Sequence, residues 1–168
     1  MINKINFHLF LLFISVSSCG VYRFKDISPM DPAIKTVKVN YIDYKARLLI
    51  PQLSPQLSER LRQKVNNQTK LTTVQSDDAH LDISGYVSEC TVTTAGISDQ
   101  KAASNRLVIS VHINVKNRVD DKKSFDADVS RNFDFSANLS LEQAQARLLE
   151  TIVQNLSDEI FNRIFSNW

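Results

Sequence analysis

Acid–base, metal or nucleophilic chemistry would have to be built from three histidines, two cysteines and eighteen carboxylates. His80 follows a turn, and His112 falls on the polar parity of a strand. Neither has a cysteine or carboxylate at metal-ligand spacing, so each is expected to be a solvated or hydrogen-bonded imidazole. Asp126, Asp128 and Asp134 share one parity of a strand and raise the question of a cation. Alternation alone places polar residues there, and the helix–loop pattern of a calcium site is missing. Asp77-Asp78 and Asp120-Asp121 are turn residues before they are acid–base pairs. There is no Gly-rich phosphate loop, no nucleophile elbow and no Ser/His/Asp set in a helpful context. The expectation is a chain with no catalytic residue, no metal and no cofactor.

Cys19 is the exception. It closes Val16-Ser17-Ser18-Cys19-Gly20, where small residues precede a cysteine behind the apolar run from Phe7 to Val16, with Lys4 ahead of it. This resembles a bacterial lipoprotein signal, in which the cysteine thiol is acylated and becomes the first mature residue. The other reading is an ordinary cleaved signal with an incidental cysteine. The run is too short to cross a bilayer, which takes about 20 residues, and it fits a signal core of about 7–15. Acyl chains contribute about 0.8 kcal/mol per buried methylene, and stable anchoring takes more than one chain. Triacylation at Cys19, palmitate included, would meet that need. Gly20 with no acidic run after it points, by lipoprotein sorting, to the periplasmic side of the outer membrane.

With residues 1–18 set aside as signal, one domain of ordinary size remains. The formal net charge of the chain is +2. The segment carries one Lys and no acid, so the remainder is nearly neutral, which excludes a broad electrostatic grip on nucleic acid. Cys90 then has no partner for an internal disulfide and reads as a packed side chain. No solenoid-type repeat is present.

The elements follow from periodicity. Residues 19–33, with Pro29 and Pro32, read as a tether, and 34–168 as the domain. Residues 34–44 alternate as a strand, Val37, Val39 and Tyr41 against Thr36, Lys38 and Asn40. Ser54-Pro55 is expected to open a helix, serine at the N-cap and proline at the first position, with Leu57, Leu61 and Val65 as its stripe. Arg60, Arg62 and Lys64 should point largely away from that stripe. Residues 71–75 form a short strand and 81–94 a longer one. A change of phase after Gly85 suggests a bulge or bend there. Residues 95–105 are expected to be a loop. From Leu107 to Val115 the odd positions are apolar and the even ones largely polar. A polar turn at 120–123 then returns the chain antiparallel through 124–135, where Arg131 interrupts the apolar parity. Ser140 with Gln143 makes a capping box for a final helix of about 25 residues. The order predicts an α+β fold: a mixed sheet of about four strands with two amphipathic helices packed on one face, an α/β two-layer sandwich. The other face should be polar.

Lys101, Arg106 and Arg131 lie at or beside the ends of hydrophobic strands. They are candidates for pairing with the phosphate of an anionic amphiphile, against the alternative of solvated surface charge.

Several stretches together resemble the LptE family of lipopolysaccharide-assembly lipoproteins, in its Bacteroidetes-type form. They are Cys19-Gly20-Val21-Tyr22-Arg23-Phe24, Gln68-Thr69-Lys70-Leu71, and Asn105-Arg106-Leu107-Val108-Ile109-Ser110-Val111. Ser130-Arg131-Asn132-Phe133, Ile160-Phe161-Asn162-Arg163 and the final Asn167-Trp168 continue the match. The resemblance implies an outer-membrane lipoprotein that plugs the LptD β-barrel and assists insertion of lipopolysaccharide into the outer leaflet. It implies LptD and lipopolysaccharide as partners and Cys19 as the lipidation site. The family's lipopolysaccharide-contacting basic residues do not align securely, so Lys101, Arg106 and Arg131 stand on their strand-end positions alone. The alternative is a free periplasmic lipoprotein that carries an amphiphile in an apolar cavity between sheet and helices, with no barrel. A closed core favours the first and an open pocket the second.

Overall fold

The computed structural model describes residues 31–98 and 101–166; side chains at 97, 98, 101 and 102 are outside that description. The signal, Cys19, most of the tether and Trp168 therefore lie outside the described residues, as does the side chain of Lys101.

Strands β1 (Thr36–Tyr44), β2 (Thr72–Thr73), β3 (Leu81–Ser98), β4 (Lys101–Asn117) and β5 (Phe125–Ser136) form one sheet, in the order β2-β1-β3-β4-β5. β1 is parallel to β2 and β3, and the remaining pairings are antiparallel. Helices α1 (Leu53–Gln68) and α2 (Leu141–Phe165) lie against β1 and β5 respectively and pack on each other. The expected α+β architecture holds, with β2 as a fifth, two-residue strand.

The packed side of the sheet is the apolar parity of each strand. Leu107, Ile109, Val111, Ile113 and Val115 of β4 are all fully buried, and Val129, Phe133 and Phe135 of β5 nearly so. Leu53, Leu57, Leu61 and Val65 face them from α1, and Ile152, Leu156, Ile160 and Ile164 from α2. Burying each such side chain contributes about 1.5–3 kcal/mol. Ser140 caps α2 in a reciprocal capping box with Gln143, as its sequence predicts.

Four local expectations need correction. First, α1 begins at Leu53 rather than after Ser54, and the cap position Gln52 makes no side-chain bond. Ser54 is buried in the first turn with its Oγ unpartnered. The apolar stripe starts one turn early, at Leu53, and burying that leucine outweighs the capping preference of serine. Second, the phase change in β3 is at Ser88. The ladder to β4 shifts between Val87 and Glu89, so Val87 and Cys90 both reach the core. Gly85 stays in register with Ile113, and the irregularity beside it belongs to β1, between Val39 and Ile42. Gly85 is there for close approach: a Cβ would stand 2.4 Å from the His112 carbonyl oxygen. Third, most of 95–105 is strand. β3 and β4 continue as a two-stranded arm past the end of β1, whose last pair is Tyr44 with Val87, and past the end of β5, where Ser136 pairs with Ser104. The β-branched run Thr91-Val92-Thr93-Thr94, still backed by β4 and β5, leads the chain extended into the arm. Fourth, Tyr41 does not share the buried parity of Val37 and Val39: the irregularity after Val39 turns it out, 53% exposed, and puts Ile42 in the core. Arg62 reaches the Val39 carbonyl at 3.5 Å, and Lys64 pairs with Asp158 of α2 at 2.5 Å over the Phe161 ring.

Candidate functional site

The uncovered side of the sheet is a polar surface laid out in rows by strand register. Tyr86 is opposite His112, and His112 is opposite Asp128. The Lys45 ammonium sits 3.8 Å from the centre of the Tyr86 ring, whose centroid is 5.1 Å from that of His112. His112 Nδ1 is 2.9 Å from Asp128 Oδ1, and its Nε2 is 3.8 Å from Asp126. In the next rows Asn114 donates to Asp126 at 2.6 Å, and the Ser110 and Ser130 hydroxyls are 3.1 Å apart. Lys38 bonds Asp77 at 2.5 Å, which holds that carboxyl below its ordinary value and pushes the lysine up.

Asp134 is held by Arg106, and Asp126 and Asp128 flank His112 from its two nitrogens, so the three carboxylates do not converge on a point. Among the described residues no group of three His, Cys, Asp or Glu side chains is arranged to hold a metal. His80 is structural: its Nδ1 accepts from the Lys35 N–H at 3.0 Å, and its own N–H donates to Thr36 Oγ1. Cys90 is buried, and desolvation raises its thiol pKa.

The candidate cations do not form one site. Arg106 lies on the polar face in a two-point pair with Asp134, Nε to Oδ1 at 2.6 Å and Nη2 to Oδ2 at 2.9 Å. That bond lowers the Asp134 pKa and raises that of Arg106. Arg131 occupies the opposite, helix-side parity of β5 and pairs with Glu159 of α2. The side chain is about half exposed and its head meets the helix at the surface, which is why it can interrupt an apolar pattern. Lys101 opens β4 on the arm.

Sequence reasoning missed the Lys45–Tyr86–His112–Asp128 row and the arm. Parity assigned each residue to a face, but only register brings a residue of the β1–α1 connection beside residues of β3, β4 and β5. The loop signal in Lys45-Ala46-Arg47-Leu48-Leu49, two cations within a partly apolar stretch, was available and passed over.

Clefts open on the surface of the described residues. One of about 420 Å³ is lined by Lys122, Phe125, Arg163 and neighbouring residues, and a smaller one lies between α1 and α2. The space between sheet and helices is filled by fully buried side chains.

Solved structures share the fold. A minor lipoprotein from Acinetobacter baumannii superposes with a TM-score of 0.51 at 15% identity, covering 80% of this chain and 95% of that one. The hypothetical protein CT253 from Chlamydia trachomatis gives 0.50 at 12% identity, covering 79% and 98%. Rare lipoprotein B from Shewanella oneidensis gives 0.47 at 14% identity, covering 74% and 90%. At these identities the likeness is one of fold. No curated protein matches the chain. The family model of LptE, described as lipopolysaccharide-assembly, matches residues 34–164. The chain belongs to the LptE family, a non-enzymatic lipopolysaccharide-assembly family.

Proposed function

We propose that this protein is an outer-membrane lipoprotein, acylated at Cys19 and held on the periplasmic side. In this reading it sits inside the LptD β-barrel, plugs it and assists insertion of lipopolysaccharide into the outer leaflet, without catalysing a reaction. The supporting observation is the pairing of a closed apolar core with a whole sheet face of hydrogen-bonded polar rows, in a chain of the LptE family. Such a face suits a water-filled lumen, where an apolar one would associate without selectivity. A free carrier would need an apolar cavity where the buried leucines and isoleucines pack. Contact of lipopolysaccharide with Lys101, Arg106 and Arg131 belongs to the same reading. A phosphate reaching Arg106 or Arg131 would share the guanidinium with Asp134 or Glu159, or displace it.

The test is purification of tagged full-length protein from its own outer membrane in mild detergent, with mass spectrometry of what accompanies it. A large barrel protein in near-equal amount is expected, and Cys19→Ala should shift the protein out of the membrane fraction. Recovery of lipid with no barrel would refute the reading in favour of a carrier.

A further inference from the structure

Arg106 and Arg131 are each matched by a carboxylate, whereas the β1–α1 connection, residues 45–52, carries two cations and no acid. Its sequence is Lys45-Ala46-Arg47-Leu48-Leu49-Ile50-Pro51-Gln52. Burial alternates along it: Ala46, Leu48 and Ile50 turn toward the core, while Lys45, Arg47 and Leu49 are exposed. The path is fixed from beneath. The Tyr44 hydroxyl donates to the Leu48 carbonyl at 2.5 Å and accepts from the Ile50 N–H at 3.2 Å. The Lys45 N–H donates to the Val87 carbonyl at 3.0 Å, and Ile50 is buried. Leu49 is thereby held out in water, 58% exposed, more than any other large apolar side chain named for the described residues. Neither Lys45 nor Arg47 has a carboxylate within ion-pair distance among the described residues. The helix that follows has no acid in its first turn and no side-chain cap, so its positive end is not neutralised by a side chain. Val92, 39% exposed, lies two residues beyond Cys90, whose thiol meets the Tyr44 hydroxyl from below.

A preorganised turn that presents one leucine and two cations without a carboxylate partner among the described residues, Arg47 free of any ring contact there and Lys45 resting on the Tyr86 ring, suits a ligand with phosphate and hydrocarbon side by side. We propose that the β1–α1 connection is a contact for the phosphate-bearing end of an anionic lipid, with Leu49 in the hydrocarbon and Lys45 and Arg47 on the phosphate. The inference rests on the lipid-handling reading above and adds a location to it.

The experiment puts p-benzoylphenylalanine in place of Leu49, and in a control protein in place of Val119, which is 42% exposed just before the β4–β5 turn. Full-length acylated protein in detergent is irradiated with lipopolysaccharide purified from the same outer membrane, with zwitterionic phosphatidylcholine, or with lipopolysaccharide plus excess inorganic phosphate. A lipopolysaccharide adduct is expected at Leu49, about tenfold stronger than at Val119 or with phosphatidylcholine. Lys45→Ala with Arg47→Ala should lower it about thirtyfold, in line with the surface attraction of two cations for anionic lipid. Both are surface changes, and circular dichroism verifies the fold. Equal adducts at the two positions, none at Leu49, or indifference to the double substitution or to excess inorganic phosphate would overturn the inference. The barrel is assayed in the same preparations. Barrel present without a Leu49 adduct refutes the inference alone, and an adduct without barrel upholds it while removing the barrel reading.

Discussion

Gly85→Ala isolates one geometric demand of the sheet. The residue is in the middle of β3, paired with Ile113 on one side and Ile42 on the other. Its backbone is not in the left-handed region, so alanine is conformationally allowed. Loss of unfolded-state entropy would by itself stabilise the variant by about 0.4–1 kcal/mol. Against this, the new Cβ would lie 2.4 Å from the His112 carbonyl oxygen and 3.0 Å from Ile113 Cδ1. A carbon–oxygen contact needs roughly 3.3 Å, so the shortfall is about 0.9 Å. That oxygen belongs to the backbone in the middle of the β3–β4 ladder and cannot rotate away. Overpacking costs about 1–3 kcal/mol, and with no flexible neighbour on the oxygen side the upper half applies. The net expectation is a loss of about 2 kcal/mol. At about 3–5 °C per kcal/mol for a domain of this size, Tm should fall by about 6–10 °C. The measurement is thermal and urea unfolding followed by far-UV circular dichroism, with Gly96→Ala as the matched control. There the only near atom is Ser104 Oγ at 2.9 Å, a hydroxyl that can turn aside, and the change should stay within about 0.5 kcal/mol. Gly85→Ala as stable as the parent, or no more costly than Gly96→Ala, would refute the close-approach argument.

Other expectations concern single groups. Tyr44→Phe leaves the Leu48 carbonyl and Ile50 N–H without their bridge and should cost about 1–2 kcal/mol in urea unfolding. Burial holds the Tyr44 phenol well above its ordinary value of 10.0, so one tyrosine in the parent should resist alkaline ionisation and be missing from the variant's titration. Ser54→Ala removes a buried hydroxyl that has no partner and should leave stability unchanged or raise it by up to about 1 kcal/mol; a loss would reveal a bond to that oxygen. Arg106 holds the Asp134 carboxyl below its ordinary 3.8. Because the native value is depressed, the stabilisation is complete above about pH 4 and lost as pH falls through the native pKa. Asp134→Asn should therefore flatten the decline of stability below pH 4, and an unchanged acid limb in urea titrations would count against the pair.

The alternation in β4 and β5 and the capping box of α2 were legible because each is a local pattern, a period of two or a spacing of three. The polar face followed from the same parity. The errors share a cause. Ser54 has the right chemistry for a cap, but the burial of Leu53 set the helix start, and that depends on the sheet beneath it. The extra residue at Ser88 is defined only against β4, so the sequence showed a change of phase without its position. Arg106 and Arg131 looked equivalent as strand-end cations. Register gives one to Asp134 on the polar face and the other to Glu159 on a helix, on opposite sides of the sheet.

By itself, then, the sequence determined the inward face of β4 and β5, the types of most elements and the family resemblance, because hydrophobic period and end signals act within a few residues. Only the tertiary structure decided which charges are matched, how far the β3–β4 arm extends, and that Lys45 lies over Tyr86 beside His112. Those depend on strand register and helix docking, contacts between residues tens of positions apart that no local period encodes.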